Sequence, residues 1–231
     1  MKRFYRQTRA AATGGGHQVL LDDRPLRTPA RHPMVLPSAG LAEAIAAEWQ
    51  EQEEKIRPPA MPLTRMATTV VDRMPGQRAA AIEEAAGYAG TDLLCYRAAE
   101  PLDLVRRQEH AWQPLLDWAA RTHDATFAVT TGLRPVAQPS ATTARLRFVL
   151  GELDDWQLVG VHAATTALGS LVLALALRAR RIDADTAIEA SLLDELFEIE
   201  RWGMDLEAER RHLVLRREVR AAATFLERLA A

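Results

Sequence analysis

The chain has 231 residues, enough for one large or two small domains with a substantial apolar core. Its 29 basic and 31 acidic residues nearly cancel, and a formal charge of −2 excludes the bulk cationic character of a dedicated nucleic-acid binder. The single cysteine, Cys95, excludes an internal disulfide and fits a reducing compartment.

The first residues, MKRFYRQTRAA, are basic but contain no apolar h-region, so no secretory signal is expected. From Arg3 to Asp23 the chain reads as two strands around Gly14-Gly15-Gly16, because glycines supply the positive φ angles of a tight reversal. Pro25, Pro29, Pro33 and Pro37 then make the next segments short edge strands or irregular chain. Ser38 is the expected N-cap of a helix running towards Ile56, with Leu41, Ile45 and Trp49 on one face. Three prolines between Pro58 and Pro62 end it and mark the expected domain boundary.

Beyond that point the pattern is helical, with segments expected near 63–74, 76–90, 101–121, 140–153, 155–180, 184–202 and 205–230. Residues 125–139 interrupt them as an extended arm. The fold class is therefore α+β, a small N-terminal β-rich domain followed by a larger all-helical one. Residues 1–58 form the first, with its one helix, and 59–231 form a helical bundle. The run Leu158–Leu177 lacks Asp, Glu, Lys and Arg and is long enough to span a bilayer. Its His162, Thr165, Thr166 and Ser170 favour a buried central helix instead.

The chemistry-bearing motifs are incomplete. Cys95 lies in Thr91–Ala98 beside Leu93 and Leu94, in no recognisable nucleophile signature, and packing is the expected role. Gly14–Gly16 is followed by neither the lysine nor the helix of a phosphate loop. Glu209 and His212 have Glu-x-x-His spacing, but a di-iron bundle needs a second copy and two further glutamates. No metal and no cofactor are expected.

The strongest electrostatic feature is C-terminal. Asp183–Glu209 holds ten acidic residues and one basic, whereas Arg210–Ala231 holds six basic and two acidic. On one helical wheel through 186–202, Ile188, Leu192, Leu196 and Ile199 form the apolar stripe, with Asp194 and Glu198 turned away. Glu195 falls at its edge, two turns before Trp202. A carboxylate near a tryptophan at a core margin is a candidate protein contact.

Several stretches in order resemble a known family: residues 41–73, 88–98, 111–119, 168–177 and 194–211. The most specific are Glu48-Trp49 running into Pro62-Leu63-Thr64, and Thr91 to Arg97. They resemble the ATP synthase F(1)-sector assembly chaperones that act on the alpha subunit, found in mitochondria and alphaproteobacteria. Asp23, Met66, Thr68 and Gln113 depart from the commoner residues at their positions without removing a motif.

The resemblance implies a non-enzymatic function: binding the unassembled alpha subunit, preventing its aggregation and passing it to the beta subunit. It implies a protein without cofactor, monomeric, with no nucleic-acid partner and no stable membrane insertion, cytoplasmic in a bacterium and matrix-located in eukaryotic relatives. Asp194, Glu195 and Trp202, together with Glu48 and Trp49, are the expected client-binding residues or their supports. The alternative is a helical hydrolase or transferase using acidic residues of the C-terminal helices.

Overall fold

The computed structural model describes residues 2–132 and 134–230. Its architecture is α+β, a small N-terminal sheet followed by helices. Strands β1 (Thr8–Thr13) and β2 (Gly16–Leu21) pair antiparallel with Thr13 opposite Gly16, leaving Gly14 and Gly15 as a two-residue loop. Gly16 has φ 144, and a Cβ there would lie 2.5 Å from the Leu36 carbonyl oxygen, so the bridge from His17 to Leu36 requires glycine. The two-residue β3 (Arg24–Pro25) completes the sheet in the order β1-β2-β3. Before it, Asp22 turns the chain at φ 54 while its carboxylate accepts from the Arg6 and Gln7 amides.

Helix α1 (Ala39–Gln50) packs across β1 and β2, and its Leu41, Ile45 and Trp49 are buried. Ser38 caps it, accepting from the Leu41 amide at 3.1 Å. The helix ends at Gln50, short of Ile56. Gln52 explains the stop: its side chain donates to the Glu48 carbonyl and accepts from the Arg57 amide, closing the loop instead of extending the helix. A 3-10 turn at Pro58–Ala60 leads into α2 (Pro62–Asp72), then α3 (Met74–Gly87).

The chain forms two compact units. The first comprises Met1–Arg78, Asp155–Gly160 and Thr224–Ala231. Within it Trp156 stacks on Phe225 with ring centroids 6.1 Å apart, Arg78 pairs with Asp155, and the Ser38 hydroxyl donates to the Arg228 carbonyl.

The second comprises Ala79–Asp154 and Val161–Ala223. Helix α4 (Leu102–His123) packs on α5 (Ser140–Gly151), and α6 (Asp155–Leu168) contributes its later residues to this unit. The expected single helix over 155–180 is two. Gly169 adopts φ 66, and Ser170 caps a new helix, α7 (Leu171–Arg178), through the Leu173 amide. All seven residues from Leu171 to Leu177 are buried, which makes α7 the centre of this unit. No helix among the described residues is long and apolar enough to cross a membrane. The extended arm pairs with a distant segment: β4 (Tyr96–Arg97) and β5 (Thr130–Thr131) run parallel. Helices α8 (Ala184–Ser191), α9 (Leu193–Trp202) and α10 (Leu206–Arg228) follow.

Candidate functional site

The expected single helix over 184–202 breaks at Leu192, so the wheel drawn through it changes phase. Phe197, absent from the expected stripe, is the buried residue of α9, while Leu196 and Ile199 are half-buried. Asp194 does not turn away from the core. It accepts from Gln108 Nε2 at 2.7 Å, and burial, partly offset by that bond, raises its carboxyl above the ordinary value. Gln108 is itself buried and also accepts from the Ala98 amide, so its orientation is fixed from both ends.

Helix α9 is fastened along its length. Arg107 and Arg201 flank the Phe197 ring at 5.2 and 4.2 Å, and their other contacts are ion pairs to Glu200 and Asp103 at 2.8 and 2.7 Å. Trp112 Nε1 donates to the Ala190 carbonyl at the end of α8. Glu195 Oε2 accepts from Arg211 Nη2 at 2.9 Å and lies 2.8 Å from His212 Nε2, joining α9 to α10. Partial burial opposes ionisation of Glu195, but the His212 and Arg211 hydrogen bonds outweigh it and hold the carboxyl below its usual value. Glu195 remains about half exposed.

Trp202 ends α9, where Gly203 at φ 86 terminates the helix, and its side chain is 76% exposed. A large apolar side chain left in water on a pinned helix end is a candidate contact. Asp194, Glu195 and Trp202 thus share one helix, the first two held by neighbours and the third free.

Glu48 and Trp49 lie on α1 in the other compact unit and are buried. Glu48 Oε1 accepts from the Leu63 amide at 2.7 Å, and Oε2 accepts from the amide and hydroxyl of Thr64, each at 2.8 Å. The N-cap residue of α2, Met61, supplies no side-chain bond, so a carboxylate from α1 satisfies the first turn in its place. Burial, the largest influence, raises the Glu48 carboxyl despite these donors. Trp49 packs against Tyr5, whose hydroxyl donates to the Trp49 carbonyl at 2.7 Å. Both residues serve the architecture of their unit.

Cys95 is fully buried, and burial together with the Asp92 charge pushes its thiol up to about 12, so it stays protonated and unreactive. Asp92 is the polar hub of that segment. It accepts from Ser170 Oγ at 2.7 Å, the Val172 amide at 3.1 Å and the Leu94 amide at 3.2 Å. Among the described residues no group of three or more His, Cys, Asp or Glu side chains is placed to hold a metal ion. His212 meets Glu195 across to α9 instead of its sequence neighbour Glu209.

Gln108 and the outward-facing Met204, Leu206, Leu213 and Val214 carry no local signal that sets them apart in the sequence. The apolar members of an amphipathic helix are read as core by default, which conceals those that face water.

Comparison with known proteins gives consistent likenesses. Residues 2–120 match the family model described as ATP12 chaperone protein. Atp12 from Paracoccus denitrificans, solved by crystallography, is 43% identical with a TM-score of 0.92, covering 100% of this chain and 98% of that one. A solved protein from Agrobacterium tumefaciens is 38% identical, also with a TM-score of 0.92, covering 99% of this chain and 86% of that one. The mitochondrial protein atp12 of Schizosaccharomyces pombe is 21% identical over 214 residues, 87% of this chain and 74% of that protein.

Proposed function

Because the chain belongs to the ATP12 chaperone protein family, we propose that it serves ATP synthase assembly by binding the unassembled alpha subunit of the F(1) sector. It keeps that subunit from aggregating and yields it to the beta subunit. Family membership carries this reading, and the exposed Trp202 on a firmly anchored α9 supports it.

The mechanism is physical masking. An unpaired subunit exposes apolar surface destined for its neighbour, and such surface self-associates. A chaperone must out-compete that association yet give way to the larger native interface. A micromolar dissociation constant, about −8 kcal/mol, meets both demands. Release then follows from competition with the beta subunit. Asp194, Glu195 and Trp202 form the client contact, and Glu48 and Trp49 support the fold that presents it.

Co-expression with its own alpha subunit, followed by size-exclusion chromatography, tests the reading. The wild-type protein should carry the alpha subunit into a soluble complex, and Glu195→Lys should stay folded while losing it. An alpha subunit that aggregates equally with and without the wild-type protein overturns the function. Undiminished capture by Glu195→Lys removes Glu195 from the contact.

A further inference from the structure

The sequence changes sign abruptly between Glu209 and Arg210, and the proposed contact on α9 makes no use of that step. On α10 the step falls on an exposed apolar face. The helix buries Ala208, His212 and Val219 and turns Leu206, Leu213 and Val214 into water, at 74%, 62% and 52% exposure. Positions 206, 210, 213 and 217 recur at helical spacing along one side, so the apolar side chains and the sign change share a strip.

Three charges near the start of the strip are uncommitted, whereas Arg217 at its far end pairs with Glu218 at 3.1 Å. Glu207, Glu209 and Arg210 have no ion-pair partner among the described residues, in contrast with Glu195, Glu200 and Asp185, each held by an arginine. Next to Arg210 the strip opens into an apolar groove lined by Ala167, Val214 and Leu215, with Arg211 and Glu218 at its margin. The first turn therefore offers free carboxylates near Leu206, and the next residue, Arg210, a free guanidinium beside an apolar slot.

We propose that this strip docks one amphipathic segment of the client, with cationic side chains over Glu207 and Glu209, apolar ones on Leu206, Leu213 and Val214, and a carboxylate over Arg210. The proposal rests on the client reading above and adds the chemistry of the segment. Charge complementarity selects that chemistry. Area argues against a second copy as the occupant: the strip from Leu206 to Val214 is only about 12 Å long, whereas a stable dimer buries roughly 800 Å² per partner. For a client the strip is one part of a wider contact.

The full chain, co-expressed with its alpha subunit and resolved by size exclusion, provides the test. One variant, Leu213→Ser with Val214→Ser, removes the apolar anchors. A second, Glu207→Arg, Glu209→Arg and Arg210→Glu, reverses the three unpaired charges. Far-UV circular dichroism confirms that each is folded, and Leu213→Ser alone replaces the first if it is not. Each should lower the co-eluting alpha subunit by about tenfold or more. Undiminished capture by either folded variant, while the wild type captures, overturns the proposal. Failure of the wild type itself to capture falls on the underlying function instead. A concentration-dependent dimer of the free wild type, abolished by the serine variant, assigns the strip to a second copy and overturns the client as its occupant.

Discussion

Glu195 Oε2 on α9 lies 2.8 Å from His212 Nε2 on α10, with the imidazole buried and the carboxylate about half exposed. The two helices are therefore joined through a polar contact that is dry on one side and wet on the other. Arg211 shares the same carboxylate oxygen from the wet side.

The carboxylate is held below the usual 4.5 by those two donors, against the opposing effect of burial. A depressed folded value means that ionised Glu195 adds stability above its unfolded value, and that the gain disappears as pH falls through the folded one. Glu195→Gln keeps an acceptor and loses the charge. Denaturant melts should show the wild type ahead by about 0.5 kcal/mol near neutrality, the scale of a half-exposed pair. The gap should close in acid, and a gap of constant size down to about pH 3 would show that the charge contributes nothing.

Asp92 gives the opposite sign. Its carboxyl is wholly buried, and burial raises it from 3.8 to about 6 against the donors Ser170, Val172 and Leu94. Between 3.8 and about 6 the folded state therefore holds a proton that the unfolded chain releases. Stability from this group is complete below 3.8 and is lost as pH rises through about 6. Asp92→Asn cannot titrate, so the wild type should gain on it as the pH falls across that window and track it outside. Asp92→Ala strands three donors at once and should cost about 3 kcal/mol or more. Chemical denaturation at several pH values reads both, and a pH-independent difference between wild type and Asp92→Asn would remove the proton from the account.

What the sequence disclosed, and what it withheld, follow from how far each cause reaches. The hairpin was legible because consecutive glycines dictate a reversal, and Ser38 because a cap acts three residues away. The break at Gly169 was not, since hydropathy is blind to a positive φ inside an apolar run. Asp92 reaches Ser170, 78 residues on, and no local pattern carries that. Glu48 resembles a solvated charge near a helix end, yet its partners are 15 and 16 residues away on α2. At the candidate site the acidic run and Trp202 were visible. The phase change at Leu192, which turned Asp194 towards Gln108 and Phe197 inward, belongs to tertiary packing.

Packing around Gly160 also leaves little room for a side chain. A Cβ added there would meet Leu226 Cδ2 at 2.6 Å and Cγ at 2.8 Å, with Phe225 Cδ1 at 3.3 Å. Phe225 is fully buried and stacked on Trp156, so it cannot yield. Leu226 is half-buried and must rotate or the helix must shift. Glycine in a helix interior otherwise costs about 1 kcal/mol relative to alanine, so propensity alone would make Gly160→Ala stabilising. Overpacking opposes this by about 1–3 kcal/mol, and the larger effect decides the sign. Gly160→Ala should therefore lower stability. In the Leu226→Ala background the obstruction is gone, and the same substitution should become neutral or stabilising. A double-mutant cycle by thermal melting measures the coupling, and additive effects of the two substitutions would mean that the helices already have room for the methyl group.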